Sequence, residues 1–427
     1  MTTQNQKSWL QRLKDESWEA ELLVSAVAIF AILNSFPFLD WMVNKFIENL
    51  DPGQYNVAYF IVVIGYLAVA ILAAMFSLHF ALRAYWIGLV GLNSVFPDYS
   101  LEDSAFSPIY TKKILGILPK LSSSITKVDE LCSVIFSAAF ALMLVYTYLT
   151  AFAITYLLLY NFLVDTVPSW LLLLPALLIA VVILFGSMLG IIANLKRYRN
   201  SEKLQHLYFL YAKWNGYLLY GPLYKSILMI TMIFASNFKK KKALIRLVLV
   251  MFLFGVAFTL FKMTESNYFY LINPNPIRDT TRAYPEYYKN LNQEQKFLLG
   301  PEINNNVISN KTLELFLPIF EHESTRMYAD CYPSKKEGEN SKEKRWKQNM
   351  ACYQQRHEIY INDTKVQVKF LKTEHYRTGQ FGILCYMDLS SLASDLHYLK
   401  IKRTLDESTT KEWEIPFYNS NKQNVEY

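Results

Sequence analysis

The residues whose types and spacing most plainly could do chemistry are His79 and Arg83, four apart and so on one face of a helix. Such a pair can bind a phosphate or a carboxylate at the inner membrane surface. With Trp86 three residues on, it also fits the end of a spanning helix, where an aromatic belt forms and a long Arg stem reaches the headgroups. The second reading is the expectation adopted. A later set comprises His322, His357, His375 and His397, with Glu321, Glu323 and Asp388. None follows a metal-ligand spacing such as H-E-x-x-H, so these histidines are expected on a solvated surface, and no metal or other cofactor is expected. The chain has no G-x-S-x-G and no phosphate loop, so no catalytic residue is named. Cys331, Cys352 and Cys385 share the later region, and Cys132 stands apart. In an oxidising compartment Cys331 and Cys352 could close a Lys/Glu-rich loop; the alternative is three free buried thiols.

The elements that must position these residues are mostly apolar. Of 427 residues, 52% are hydrophobic and 19% charged, against about 25% charged in soluble domains. Residues 133–195 carry one formal charge, Asp165, and one break at 165–169. Each side exceeds the roughly 20 residues that cross a ~30 Å hydrocarbon layer, so the stretch reads as a transmembrane hairpin, with Pro168 in the first turn of its second helix. Five spans are predicted, at about 22–42, 57–82, 133–164, 168–194 and 243–263. Residues 1–21 read as an amphipathic cytoplasmic surface helix with no secretory signal, and Asn34, Ser35 and Pro37 predict a kink in the first span. Thr126 and Asp129 match a helix start before the third span. Gly186 and Gly190 form a G-x-x-x-G that favours close helix packing. Residues 204–238 are broken by Gly221, Pro222 and Lys225 and read as an interfacial or re-entrant segment.

Charge sets the orientation. Basic residues gather at Lys7 to Lys14, Arg83, Lys112 to Lys127 and Lys196 to Arg246, whereas the other loops hold Lys45 beside Asp40, Glu48, Asp51 and Asp165. The N-terminus is thus expected in the cytoplasm and the C-terminal region outside it. The net charge of +7 lies beside the spans, which argues against a nucleic-acid partner and for the lipid bilayer, with Lys239 to Lys242 suited to anionic lipid. As one helix, 133–164 would extend ~48 Å, well past the bilayer core. Its surplus predicts an exposed docking ledge of Tyr156, Tyr160, Phe162 and Leu163, covered by this chain's own outer domain or by self-association.

After a Tyr- and Asn-rich connector at 264–300, the period becomes two. Leu313, Leu315, Leu317 and Ile319 alternate around Glu314, with Pro318 implying an edge strand. Similar runs occur at 359–361, before the turn pair Asn362-Asp363, and at 366–370, 382–387, 399–403 and 413–417. An extracytoplasmic all-β sandwich over 301–427 is predicted. The segments IYIND, YMDLSSL and HYLKIKR within 359–402 resemble the jelly-roll and immunoglobulin-like sandwiches attached to bacterial envelope proteins. The whole chain is similar to multi-span inner-membrane proteins of Bacteroidota-type bacteria, a likeness that implies a location and no activity. The expected fold class is therefore a membrane helical bundle followed by a β-sandwich. The expected function is an integral membrane interaction protein, a scaffold or sensor showing the sandwich to a cell-envelope partner. A transport or channel component is the first alternative; few ionisable residues lie mid-span, which disfavours an ion-coupled carrier. A membrane enzyme acting on lipid or glycan is the second.

Overall fold

The computed structural model describes residues 2–96, 105–163, 166–237, 242–274, 282–292, 297–332 and 342–420. The chain forms two compact units: Met1–Asp40 with Tyr59–Glu265, and Trp41–Ala58 with Ser266–Tyr427.

The first unit is helical. Four of its helices are long and apolar enough to cross a membrane: α1 (Thr2–Asn49), α2 (Tyr55–Val95), α4 (Leu121–Leu163) and α5 (Ser169–Asn194). Between α2 and α4 stands the short α3 (Pro108–Leu115). The expected separate surface helix at 1–21 is instead the beginning of α1, which runs unbroken from Thr2 and carries Pro37 inside it. Ahead of the proline, Asn34 and Ser35 turn their side chains onto the carbonyls of Phe30 and Ala31. The predicted start at Thr126 is also corrected. Helix α4 begins at Leu121, so Thr126 bonds back to the Ser122 carbonyl and Asp129 is freed for another role. Ile71, Leu72, Met75 and Phe76 of α2 meet Ile135 and Ala139 of α4 in a buried core, to which α1 adds Ala28, Ile29 and Ile32.

The segment at 204–238 forms α6 (Glu202–Tyr220) and α7 (Tyr224–Asn237), joined by a tight turn at Gly221–Leu223. Gly221 has φ +51, and a Cβ there would also collide with the Tyr148 ring, so both backbone and space demand glycine. The stretch expected as a fifth span is α8 (Lys242–Glu265), whose Phe258 packs edge-to-face on Phe36 of α1.

The second unit is built on two sheets. One has the order β1-β3-β7-β6, from β1 (Glu302–Ile303), β3 (Thr312–Pro318), β6 (Leu371–Glu374) and β7 (Phe381–Asp388). The other runs β2-β9-β8-β4-β5, from β2 (Val307–Ile308), β4 (His357–Ile361), β5 (Thr364–Val366), β8 (Leu396–Thr404) and β9 (Thr410–Asn419). Leu313, Leu315 and Ile383 from the first sheet and Ile359, Ile401 and Ile415 from the second share one core. The period-two pattern is why: alternate side chains of each strand point to the same face.

Three expectations for this region change. It is not all-β, because it contains α9 (Glu321–Cys331) and α10 (Lys342–Arg356), the second of which takes up part of the Lys/Glu-rich loop. Strand β3 is internal, paired with β1 and β7; Pro318 is tolerated as its last residue, opposite Gly382. A Cβ on Gly382 would lie 2.4 Å from the Leu317 carbonyl. The connector is not loose either: Tyr287 and Tyr288 are buried in the core, and the Tyr288 hydroxyl donates to the Pro416 carbonyl at 2.6 Å. The hairpin turn Asn362-Asp363 has positive φ at both residues, the geometry that matches strand twist in a two-residue turn.

Residues 41–58, the end of α1 and the start of α2, belong to this second unit. Asn267 donates to Asn44 at 3.0 Å, Asp51 faces Arg326 at 3.4 Å, and the Tyr55 ring stands edge-on to His322.

Candidate functional site

Each unit buries a cluster of ionisable side chains. In the helical unit α1 supplies Glu21 and Ser25, α2 supplies His79 and Arg83, and α4 supplies Asp129. Both pairs are four apart, which turns them to the same helical face. Arg83 lies between two carboxylates, paired with Glu21 through Nη2 and with Asp129 through Nη1 at 2.8 Å. Ser25 Oγ donates to the Glu21 carbonyl at 2.7 Å and stands 2.7 Å from His79 Nδ1. A hydroxyl has one proton, so with that proton on the carbonyl, His79 Nδ1 is the donor of the second bond. The other ring nitrogen, Nε2, then faces Glu21 Oε2 at 3.6 Å. The expectation that Arg83 reaches the headgroups is corrected: Arg83 is 2% exposed and His79 fully buried. The neutralising carboxylates come from helices distant in sequence, which spacing along α2 alone could not reveal. The Arg83 guanidinium also sits 5.0 Å from the Trp86 ring centre, so the three residues do group together, although inside the bundle.

In the β-rich unit Arg403 is the hub. Its Nη1 donates to Glu323 at 2.6 Å, its Nη2 to the Pro318 carbonyl at 2.9 Å, and its Nε to His357 Nε2 at 2.8 Å. Lys411 holds the other Glu323 oxygen at 2.8 Å. Burial alone would raise the Glu323 carboxyl, but Arg403 and Lys411 outweigh it and hold it at about 2. His357 accepts from Arg403, so its Nδ1 carries the proton that bonds the Tyr353 carbonyl. Burial, then the adjacent guanidinium, pushes its pKa down to about 3. Burial likewise lowers His322 to about 4.

These positions correct the view of the later histidines as surface groups: His322, His357, His375 and His397 are each 5–6% exposed. His375 bonds Glu302 at 3.0 Å and Thr378 at 3.1 Å, while Arg377 takes the second Glu302 oxygen. Glu302 and His375 line a small polar cleft of about 170 Å3 with Lys289 and Tyr376. His397 donates to the Ala393 carbonyl and accepts from Asn362 of the β4–β5 turn. No cluster of metal-ligating residues exists among the described residues.

The remaining candidates fall as follows. Gly186 and Gly190 on α5 receive Tyr211 and Tyr208 of α6; a Cβ at Gly186 would lie 2.0 Å from Tyr211 Cζ. Cys331 and Cys352 form a disulfide between α9 and α10, and Cys132 and Cys385 are free and buried. The ledge is narrower than expected: Tyr156 donates to the Leu172 carbonyl of α5 and Tyr160 is buried, so Phe162 is the member left clearly exposed. Leu163 is half-buried. Most of the Lys239 to Lys242 run lies outside the described residues. Compared with protein-family models, curated proteins and solved structures, the chain has no match.

Proposed function

We propose that this chain is an integral membrane interaction protein, a scaffold or sensor that presents its β-rich unit to a cell-envelope partner. The observation that carries the reading is the inclusion of Trp41–Ala58 in that unit. Through Asn44, Asp51 and Tyr55 the turn between α1 and α2 packs within that unit.

The same observation supports five crossings over six. Segments 41–58 and 266–427 share one compact unit and so one side of the membrane, which requires an even number of crossings between them. Helices α2, α4, α5 and α8 supply four, and α6 with α7 then returns to the side on which it began. With the basic loops inside, the β-rich unit faces outward. The Cys331–Cys352 bond fits an oxidising compartment there. Two single-cysteine variants test this with a membrane-impermeant maleimide. Glu407→Cys is expected to label in intact cells and Lys203→Cys only after permeabilisation; labelling of both from one side would sink the reading.

For the partner, a photo-crosslinking residue in place of the exposed Tyr386 on β7 is expected to give a discrete adduct with an envelope component. A transport or channel component is the second reading, because Glu21, His79, Arg83 and Asp129 place ionisable groups inside the bundle. Ion flux through the purified protein in vesicles, together with no adduct, would favour it.

A further inference from the structure

Between α5 and α6 runs a groove of about 590 Å3, within the roughly 300–1,000 Å3 of small-molecule sites. Val181 and Phe185 form one wall, and Trp214, Tyr217 and Leu218 the other. Every one of these side chains is exposed, Trp214 at 70%. The groove exists because Tyr211 sits over Gly186 and Tyr208 over Gly190, drawing α6 onto α5 on one side and leaving its next apolar face open.

The charge at the end of the groove says what covers it. The bend joining the two helices carries Lys196, Arg197 and Arg199, and the first turn of α6 adds Lys203 beside the lone acid Glu202, all of them exposed. Phe185 lies nine residues before the end of α5, and Trp214 twelve residues after the start of α6. At ~1.5 Å per residue these are ~14 and ~18 Å, bracketing the ~15 Å half-thickness of a bilayer core. Cations at headgroup level with an apolar trough one chain-length deeper match a lipid that has an anionic head. We propose that the α5–α6 groove is a binding site for an anionic phospholipid, with its phosphate on the Lys196 to Lys203 turn and an acyl chain along Phe185 and Trp214. Lys213, next to Trp214, adds a cation whose long stem can reach towards the same interface.

Trp214 supplies its own reporter. The full chain is reconstituted into vesicles containing brominated phosphatidylglycerol or brominated phosphatidylcholine, and the Trp214 signal is taken as the difference from Trp214→Phe. Quenching is expected to reach half its maximum at a several-fold lower fraction of the anionic lipid. In the combined variant Lys196→Gln, Arg197→Gln, Arg199→Gln and Lys203→Gln, that preference should vanish while quenching at high lipid fraction persists. If this variant does not fold, raising the salt on the native chain must shrink the preference, since the contact is electrostatic. Equal quenching by both lipids, or a preference untouched by charge removal or salt, would overturn the site. No quenching by either would overturn it too, and would point to a second copy of the chain over the groove.

Discussion

Arg403 offers all three of its guanidinium nitrogens to fixed acceptors, and two of those acceptors, Glu323 and His357, are buried with it. Replacing Arg403 by Met would leave the buried Glu323 carboxylate with Lys411 as its cationic partner and take the donor from the Pro318 carbonyl, and a loss of about 3 kcal/mol in unfolding free energy is expected from denaturant titration. Pairing it with Glu323→Gln should restore part of that loss. Acid should act on the same region. His322 and His357 are held below the ordinary histidine range, so the unfolded chain takes up protons first as pH falls through ~6.5. Their contribution is whole above that pH and is lost towards about 4 and about 3. At pH 5 each has forfeited about 2 kcal/mol. Thermal unfolding should therefore drop clearly between pH 7.5 and 5; a flat profile would show that these rings are not held neutral. Glu323 adds its own loss only below ~4.5, the ordinary carboxyl range, as pH falls towards about 2. Little of this was legible in the sequence. A histidine on a strand shows which face it takes through its parity, but the carbonyl or guanidinium that satisfies it comes from another element, and only assembly brings that element in.

Strands and spans were easier to read than helices α9 and α10. Period two and long apolar runs record one-sided or all-round burial directly; β3, β4, β8 and β9 fall where alternation put them, whereas of the alternating run at 366–370 only Val366 lies in a strand. Helices α9 and α10 are short and polar, and part of what ties them together is a disulfide rather than an apolar stripe. Reducing it should lower stability by about 2–4 kcal/mol, read from denaturation with and without reductant. Close backbone approach gives a sharper test. Gly382→Ala would drive a methyl group into the Leu317 carbonyl and the Phe316 ring, splitting β3 from β7. The variant is expected to lose several kcal/mol by the same measurement. Loss confined to a few tenths would mean that the strand pair can shift to make room.

At the scale of the whole molecule, membrane class and a separate β-rich region followed from composition, because the solvent each half was built for is written in its apolar fraction. The boundary between the units did not follow, since Trp41–Ala58 looks like an ordinary turn between spans. That turn has a consequence for synthesis. It leaves the ribosome with the first hairpin, whereas its packing partners begin at Ser266, about 200 residues later. At ~5–20 residues per second the wait is roughly 10–40 s. Throughout it Ile47 and Tyr55, both buried in the finished protein, have no second unit to pack into. The earliest hairpin is therefore completed last, and a chain stalled before Ser266 should carry a protease-sensitive turn at 41–58 that closes only when the final third of the protein has been made.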